Sequence, residues 1–207
     1  GVSEYSELGA KISLTSDGRI KYDTMLLDGL AAGQTVTDQF TYAIRMSNGT
    51  LSWATVTVTL TGTNDGPVGV ADLASGNEDS IIFGSVATND SDVDNGAVLS
   101  FAVNGTPPAG FVMDEDGNWT LDASDEAYQH IAQGASEDIV VSYTVTDEHG
   151  ESATTTLTIT VHGANDDPAA NADSDTTSEN TTLLIDVLAN DTDVDDGHTL
   201  TVTAASA

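Results

Sequence analysis

Residues 139–161 read Ile139-Val-Val-Ser-Tyr-Thr-Val145-Thr-Asp147-Glu-His-Gly150-Glu-Ser-Ala-Thr-Thr-Thr-Leu-Thr-Ile-Thr-Val161, and this stretch decides the fold class. Apolar and β-branched residues alternate on both sides of a short polar turn, so the period is two and not 3.6. The turn Glu148-His149-Gly150 makes the stretch a hairpin. Working outward, Ser80 to Phe83, Leu99 to Val103 and Trp119 to Leu121 read as further strands, with Asp116-Gly117 as another hairpin turn. About seven strands in roughly 100 residues is the pattern of an immunoglobulin-like antiparallel sandwich. Only Ser124 to Gly134 has the composition of a short helical turn.

The pattern recurs at a spacing of 101 residues. Gly62-Thr-Asn64-Asp65-Gly-Pro67 returns as Gly163-Ala-Asn165-Asp166-Asp-Pro168, and Asn89-Asp90-Ser-Asp92-Val-Asp94-Asn-Gly96 as Asn190-Asp191-Thr-Asp193-Val-Asp195-Asp-Gly197. Asp72 returns as Asp173 and Glu78 as Glu179; upstream, Tyr42 matches Tyr143 and Thr55–Thr59 matches Thr156–Thr160. The chain therefore reads as an array out of phase: later strands of one sandwich in 1–66, a complete sandwich in 67–167, and the first strands of a third in 168–207.

Charge narrows the partners. The chain has 34 acidic residues, 4 basic residues, no cysteine and a formal charge of −30. Lys11, Arg19, Lys21 and Arg45 are the cations, so residues 46–207 carry no Lys or Arg to pair with their carboxylates. Such a surface repels phosphate backbones and anionic headgroups, which disfavours nucleic acid and membrane surfaces. No run of 18 apolar residues suggests membrane insertion, and no signal pattern begins at Gly1, so the chain reads as a processed or internal piece. A fold with 39% hydrophobic residues and unpaired acids must tolerate the repulsion or recruit a counterion, for which a divalent cation, with Ca2+ foremost, is the economical choice.

Calcium takes six to eight oxygens, and alternate acids on an irregular loop can wrap it. Asp90, Asp92 and Asp94 form such a loop between the second and third strands of the complete sandwich. Asp147, in the last hairpin turn, lies at the same pole, and Asn64, Asp65 and Asp72 enter there from the joint. The opposite pole gathers Glu78, Asp122, Asp125 and Glu126, the exit joint Asn165 and Asp166, and then Asp173, Glu179, Asp191, Asp193 and Asp195 of the next repeat. An EF-hand fails, because the loop starting at Asp90 has Asn95 and Phe101 where Gly and Glu are required. In the first repeat Met46 stands where Asp147 would be, so that turn should hold calcium poorly.

Gly-Thr-Asn-Asp-x-Pro at the joint, Asn-Asp-x-Asp-x-Asp early, Asp-Gly-x-Trp in the middle and Tyr-Thr-Val-Thr-Asp-x-x-Gly before the last strand resemble the VCBS and bacterial cadherin-like repeats of giant RTX-type adhesins. The resemblance covers the whole chain. It implies tandem immunoglobulin-like (cadherin-like) sandwiches joined by calcium-binding linkers, on the bacterial cell surface or secreted. The expected function is a calcium-rigidified stalk in adhesion or biofilm attachment, whose partners are neighbouring repeats or head-to-tail copies of the chain.

The alternative is a module that binds polysaccharide through Trp53, Trp119 and Tyr128, although Trp119 after Asp-Gly-Asn reads first as core. An enzyme is not expected, since His130, His149, His162 and His198 are dispersed and paired acids are uninformative among so many. The Thr-x-Thr runs, which could suggest an ice-binding array, read as solvent faces of strands. Half sandwiches at the two ends would leave open cores and sheet edges, so the end of one copy is expected to complete the start of another, covalently or by strand complementation.

Overall fold

The computed structural model describes residues 4–25 and 27–205, and they are all-β apart from one turn of 3-10 helix at Val86–Thr88. Contacts divide the chain into two compact units. One comprises Gly1–Gly69, Asp90–Ser100 and Val145–Ala153, and the other Val70–Asn89, Phe101–Thr144 and Thr154–Ala207.

The strands are β1 (Lys11–Leu14), β2 (Ile20–Asp23), β3 (Thr35–Arg45), β4 (Leu51–Thr61), β5 (Asp72–Asn77), β6 (Ile81–Ser85), β7 (Ser100–Val103), β8 (Phe111–Met113), β9 (Asn118–Asp122), β10 (Ser136–Thr146) and β11 (Ser152–His162). β5 to β11 build two sheets, ordered β5-β11-β10-β7 and β6-β9-β8. The alternation read from sequence is visible as burial: Val141 and Tyr143 on β10 and Leu157, Ile159 and Val161 on β11 are buried, as are Ile82, Phe111, Trp119 and Leu121 of the other sheet. Phe111 stacks on Trp119 with centroids 6.1 Å apart.

One pairing departs from the antiparallel expectation, because β5 runs parallel to β11, with Leu157 opposite Asp72 and Val161 opposite Gly76. Residues 124–134 form successive turns without a helix, closed by Tyr128 N to Asp125 O and Ile131 N to Tyr128 O at 3.0 Å each.

The first unit carries the same later strands. β3 and β4 span residues 101 positions before β10 and β11, and they pair over their full length from Thr35↔Thr61 to Arg45↔Leu51. The β1-β2 hairpin repeats β8-β9 at an offset of 99: Thr15 N to Arg19 O and Gly18 N to Thr15 O correspond to Asp114 N to Asn118 O and Gly117 N to Asp114 O. The joint glycines are fixed by backbone contact. A Cβ on Gly62 would lie 2.1 Å from the Leu30 carbonyl oxygen, and one on Gly163 would lie 1.9 Å from that of Ile131.

Two further features are not announced by the strand pattern. Residues 168–205 hold no strand; the isolated bridge Ala169↔Thr192 is the pairing assigned there. The second is Asp38, wholly buried where the equivalent position of the complete repeat is Ile139. Its carboxylate accepts from the Tyr22 hydroxyl at 2.5 Å, Leu8 N at 3.0 Å and Gln39 N at 2.7 Å. Burial would raise its pKa, but these donors and the Ser6 hydroxyl hold it below the usual carboxylate value. Burial first, then the bond to Asp38, pushes the Tyr22 phenol up to about 12.

Candidate metal centre

Part of the predicted acids fall into two clusters that share one loop pattern. In the second unit, the β5-β6 turn carries Glu78, which is 3% exposed; Asp79 beside it has φ 61°, a left-handed conformation that Asp tolerates in turns. One Glu78 oxygen accepts a hydrogen bond from Ala164 N in the joint. Asp166 N donates to Asp195 Oδ2 at 3.2 Å, and Asp195 N donates to Asp193 Oδ1 at 2.9 Å. The Asp195 loop is pinned by Asp196 N to His130 O at 2.9 Å.

These ties bring one carboxylate oxygen each from Glu78, Asp166 and Asp195 within 4.8 Å of one another. Burial holds the Glu78 pKa above its ordinary value, against the Ala164 N–H, and the charges of Asp166, Asp79 and Asp195 add to the rise. Asp166 is also raised, by burial and then by Asp79, Asp195, Asp193 and Asp167.

The first unit repeats the loop. Asp65 N donates to Asp94 Oδ2 at 2.9 Å, Asp94 N to Asp92 Oδ1 at 2.8 Å, and Asn95 N to Gly29 O at 3.1 Å. Asn64 Nδ2 donates to Asp147 Oδ2 at 2.8 Å, and Asp147 Oδ1 accepts from His149 N and Glu151 N. The Asn64 bond is the first cause of the lowered Asp147 pKa, and the turn amides of His149, Glu151 and Gly150 add to it. Asp94 and Asp147 are both buried.

Among the described residues, five buried side-chain oxygens have no hydrogen-bond partner: Glu78 Oε2, Asp92 Oδ2, Asp94 Oδ1, Asp166 Oδ2 and Asp195 Oδ1. All five belong to these clusters. An unsatisfied buried carboxylate oxygen is costly, and five of them in two clusters, with Asp94 and Asp195 at equivalent positions, fit a hard, oxygen-seeking cation. The donor set contains carboxylate and amide oxygens without sulfur, which suits calcium and not a thiophilic metal.

Other predicted ligands stand elsewhere. Asp72 accepts the Tyr143 hydroxyl at 2.7 Å within the second unit. Asp122 accepts from Ser124 N and Oγ, and Asp125 from Ala127 N, so both are turn acceptors, and Glu126 is exposed; the close carboxylate group is Glu78, Asp166 and Asp195, without these three. Asp90 is half-buried in the loop of Asp92 and Asp94, and Asp191 in the equivalent loop accepts from Asn171 N at 2.7 Å. Asn165 turns its amide nitrogen to Asp166 O, and Asp173 and Glu179 are exposed on residues 168–205.

Met46 is 62% exposed in a turn closed by Met46 N to Thr50 O, which matches the Asp147 turn without its carboxylate. Trp119 and Tyr128 are buried, Tyr128 donating to Ala109 O at 2.7 Å, so the three-aromatic patch does not exist; Trp53 is exposed without them. Sequence reading missed the Asp38–Tyr22 pair, whose signal was an acid at an apolar position of an alternating strand.

Residues 64–163 match the family described as bacterial cadherin-like domain. No curated protein matches the chain. Among solved structures, similar ones include protocadherin gamma B7 extracellular cadherin domains 1–4 (18% identity, 87% of this chain and 46% of that one, TM-score 0.46). Human desmocollin-1 ectodomain (17%, 87% and 36%, TM-score 0.43) and mouse cadherin-23 EC22-24 (16%, 78% and 53%, TM-score 0.43) are others. The chain spans between about a third and a half of the length of these structures. Among the described residues no helix is long and apolar enough to cross a membrane.

Proposed function

We infer that the chain is a segment of an extracellular, calcium-rigidified stalk of a bacterial surface adhesin. The observation that carries this reading is the set of buried carboxylate oxygens without a hydrogen-bond partner, three at the joint of Glu78, Asp166 and Asp195 and two at that of Asp92 and Asp94. Glu78, Asp166, Asp193 and Asp195 would hold calcium at one joint, and Asp65, Asp92, Asp94 and Asp147 at the other. The ion supplies positive charge where the chain beyond residue 45 has no Lys or Arg.

The chain's own residues set the mechanics. Glu78 ties the β5-β6 turn to the joint at Ala164 N, and Asp195 ties the joint at Asp166 N to the following loop. With the carboxylates neutralised, turn, joint and loop hold one arrangement; with their charges bare, mutual repulsion loosens the joint. The role is mechanical: a stiff joint keeps a distal adhesive module away from the cell. Small-angle scattering tests it. A maximum dimension that is well defined in calcium and broadens with chelator supports the reading, whereas identical profiles overturn it.

A further inference from the structure

We propose that Asn95 is a self-modification site, where the Gly96 main-chain nitrogen displaces the Asn95 side-chain amide and leaves an acid in its place. An asparagine followed by glycine is open to this attack, because glycine puts no side chain in the way of its own nitrogen. The chain holds three such pairs, Asn48-Gly49, Asn95-Gly96 and Asn104-Gly105. The structure separates them.

At Asn48 the nucleophile is occupied. Gly49 N donates to Met46 O at 2.9 Å, and the side chain is held as well, Asn48 Oδ1 accepting from Thr50 N at 3.0 Å. At Asn104 the leaving amide is clamped: Nδ2 donates to Ser142 Oγ at 3.1 Å, and Oδ1 accepts from Thr144 Oγ1 at 2.8 Å. Asn95 has neither restraint. Asn95 and Gly96 are the exposed central residues of a turn closed by Ala97 N to Asp94 O at 3.2 Å. Among the described residues, neither Gly96 N nor the Asn95 side-chain amide has a hydrogen-bond partner.

The reaction balances with water alone. Gly96 N gives up its proton and bonds to Asn95 Cγ, the Cγ–Nδ2 bond breaks, and ammonia leaves behind a five-membered succinimide. Water then opens the ring at one of its two carbonyls. Attack at Cγ gives aspartate, and attack at the main-chain carbonyl gives an isoaspartyl link.

The aspartyl product is one this fold already carries. Asp196 with Gly197 stands 101 positions later, and Asp196 N donates to His130 O at 2.9 Å as Asn95 N donates to Gly29 O at 3.1 Å. The isoaspartyl product instead adds a methylene to the main chain just after Asp94, between the Gly29 and Ala97 bonds of the loop. At a calcium-holding joint that change alters the loop of Asp92 and Asp94. The modification itself needs no metal.

The test ages the full-length chain in chelator at mildly alkaline pH, where the attacking nitrogen loses its proton more readily, and maps its peptides by mass spectrometry. Asn95 should turn acidic about tenfold faster than Asn48 or Asn104, a factor of about 1.4 kcal/mol in the barrier and within what one hydrogen bond holds. Isoaspartate should make up part of the product, and the three sites should converge in denaturant. Ser142→Ala/Thr144→Ala, which unclamps Asn104, should raise its rate and leave that of Asn95 unchanged. An Asn95 rate no greater than the other two in the folded chain, or acid formed without isoaspartate, overturns the proposal. Because no calcium is present, that failure leaves the metal reading untouched.

Discussion

Replacing Glu78 by Gln should change the sign of its effect with calcium. Gln keeps a carbonyl oxygen for the Ala164 N–H and is nearly the same size, so the substitution removes charge and little else. The three oxygens of Glu78, Asp166 and Asp195 lie within 4.8 Å of one another, so each ionised pair repels by at least about 0.9 kcal/mol even at the dielectric of water. Glu78 takes part in two of the three pairs, and its loss relieves about 2 kcal/mol in chelator. For a chain of this size that raises the melting midpoint by about 4–8 °C. In calcium at a hundredfold above the dissociation constant, the ion contributes about 2.7 kcal/mol to the unmodified protein. A variant lacking a buried ligand loses much of that increment and should melt below the parent. Melts of parent and variant followed by circular dichroism, in chelator and in millimolar calcium, give four midpoints. An effect of the same sign in both media would refute the reasoning.

Gly163→Ala should cost about 1–3 kcal/mol, because its Cβ would sit 1.9 Å from the Ile131 carbonyl and backbone must move; denaturant unfolding measures it. Leu121→Ala, at a site with no exposure, should cost about 2–5 kcal/mol, while Val112→Ala at 66% exposure should change little. Tyr22 should ionise near 12, resolved by alkaline absorbance titration as the phenol lost in Tyr22→Phe. Because its folded pKa is raised above 10, the linked stability is present below pH 10 and fades as pH climbs toward 12. Asp38 has the opposite sign: its lowered pKa gives stability that is present above the ordinary carboxylate pKa of 3.8 and lost on acidification, and Asp38→Asn should flatten that dependence.

The strands with strong alternation were legible because burial and pairing obey the same period. Ile139 to Val145 and Thr154 to Val161 became the paired β10 and β11 with their inward residues buried. β5 carried no such signal. Asp72-Leu-Ala-Ser-Gly-Asn77 is poor in β-branched residues, and its place is set by a parallel partner more than eighty residues away. Gly76 is required there because a Cβ would meet Ile82 at 2.5 Å, which no local pattern announces.

The joint clusters were legible as repeats of acids, since identical spacing at 92 and 94 and at 193 and 195 produced equivalent hydrogen bonds. Asp122 and Asp125 were not separable from ligands by composition, because a turn acceptor and a metal ligand use the same residue types. The absence of strands in residues 168–205 follows from pairing: a strand needs a neighbour, and apolar alternation alone does not supply one.

The central claim, that the clustered carboxylates are calcium ligands, is tested most directly by isothermal titration of the chain with calcium, repeated with Asp166→Asn/Asp195→Asn and with magnesium. Saturable calcium binding in the submillimolar to millimolar range, reduced by the double substitution and not reproduced by magnesium, is the predicted result. Titration without saturable heat, or with heat unchanged by the substitutions, would contradict the account.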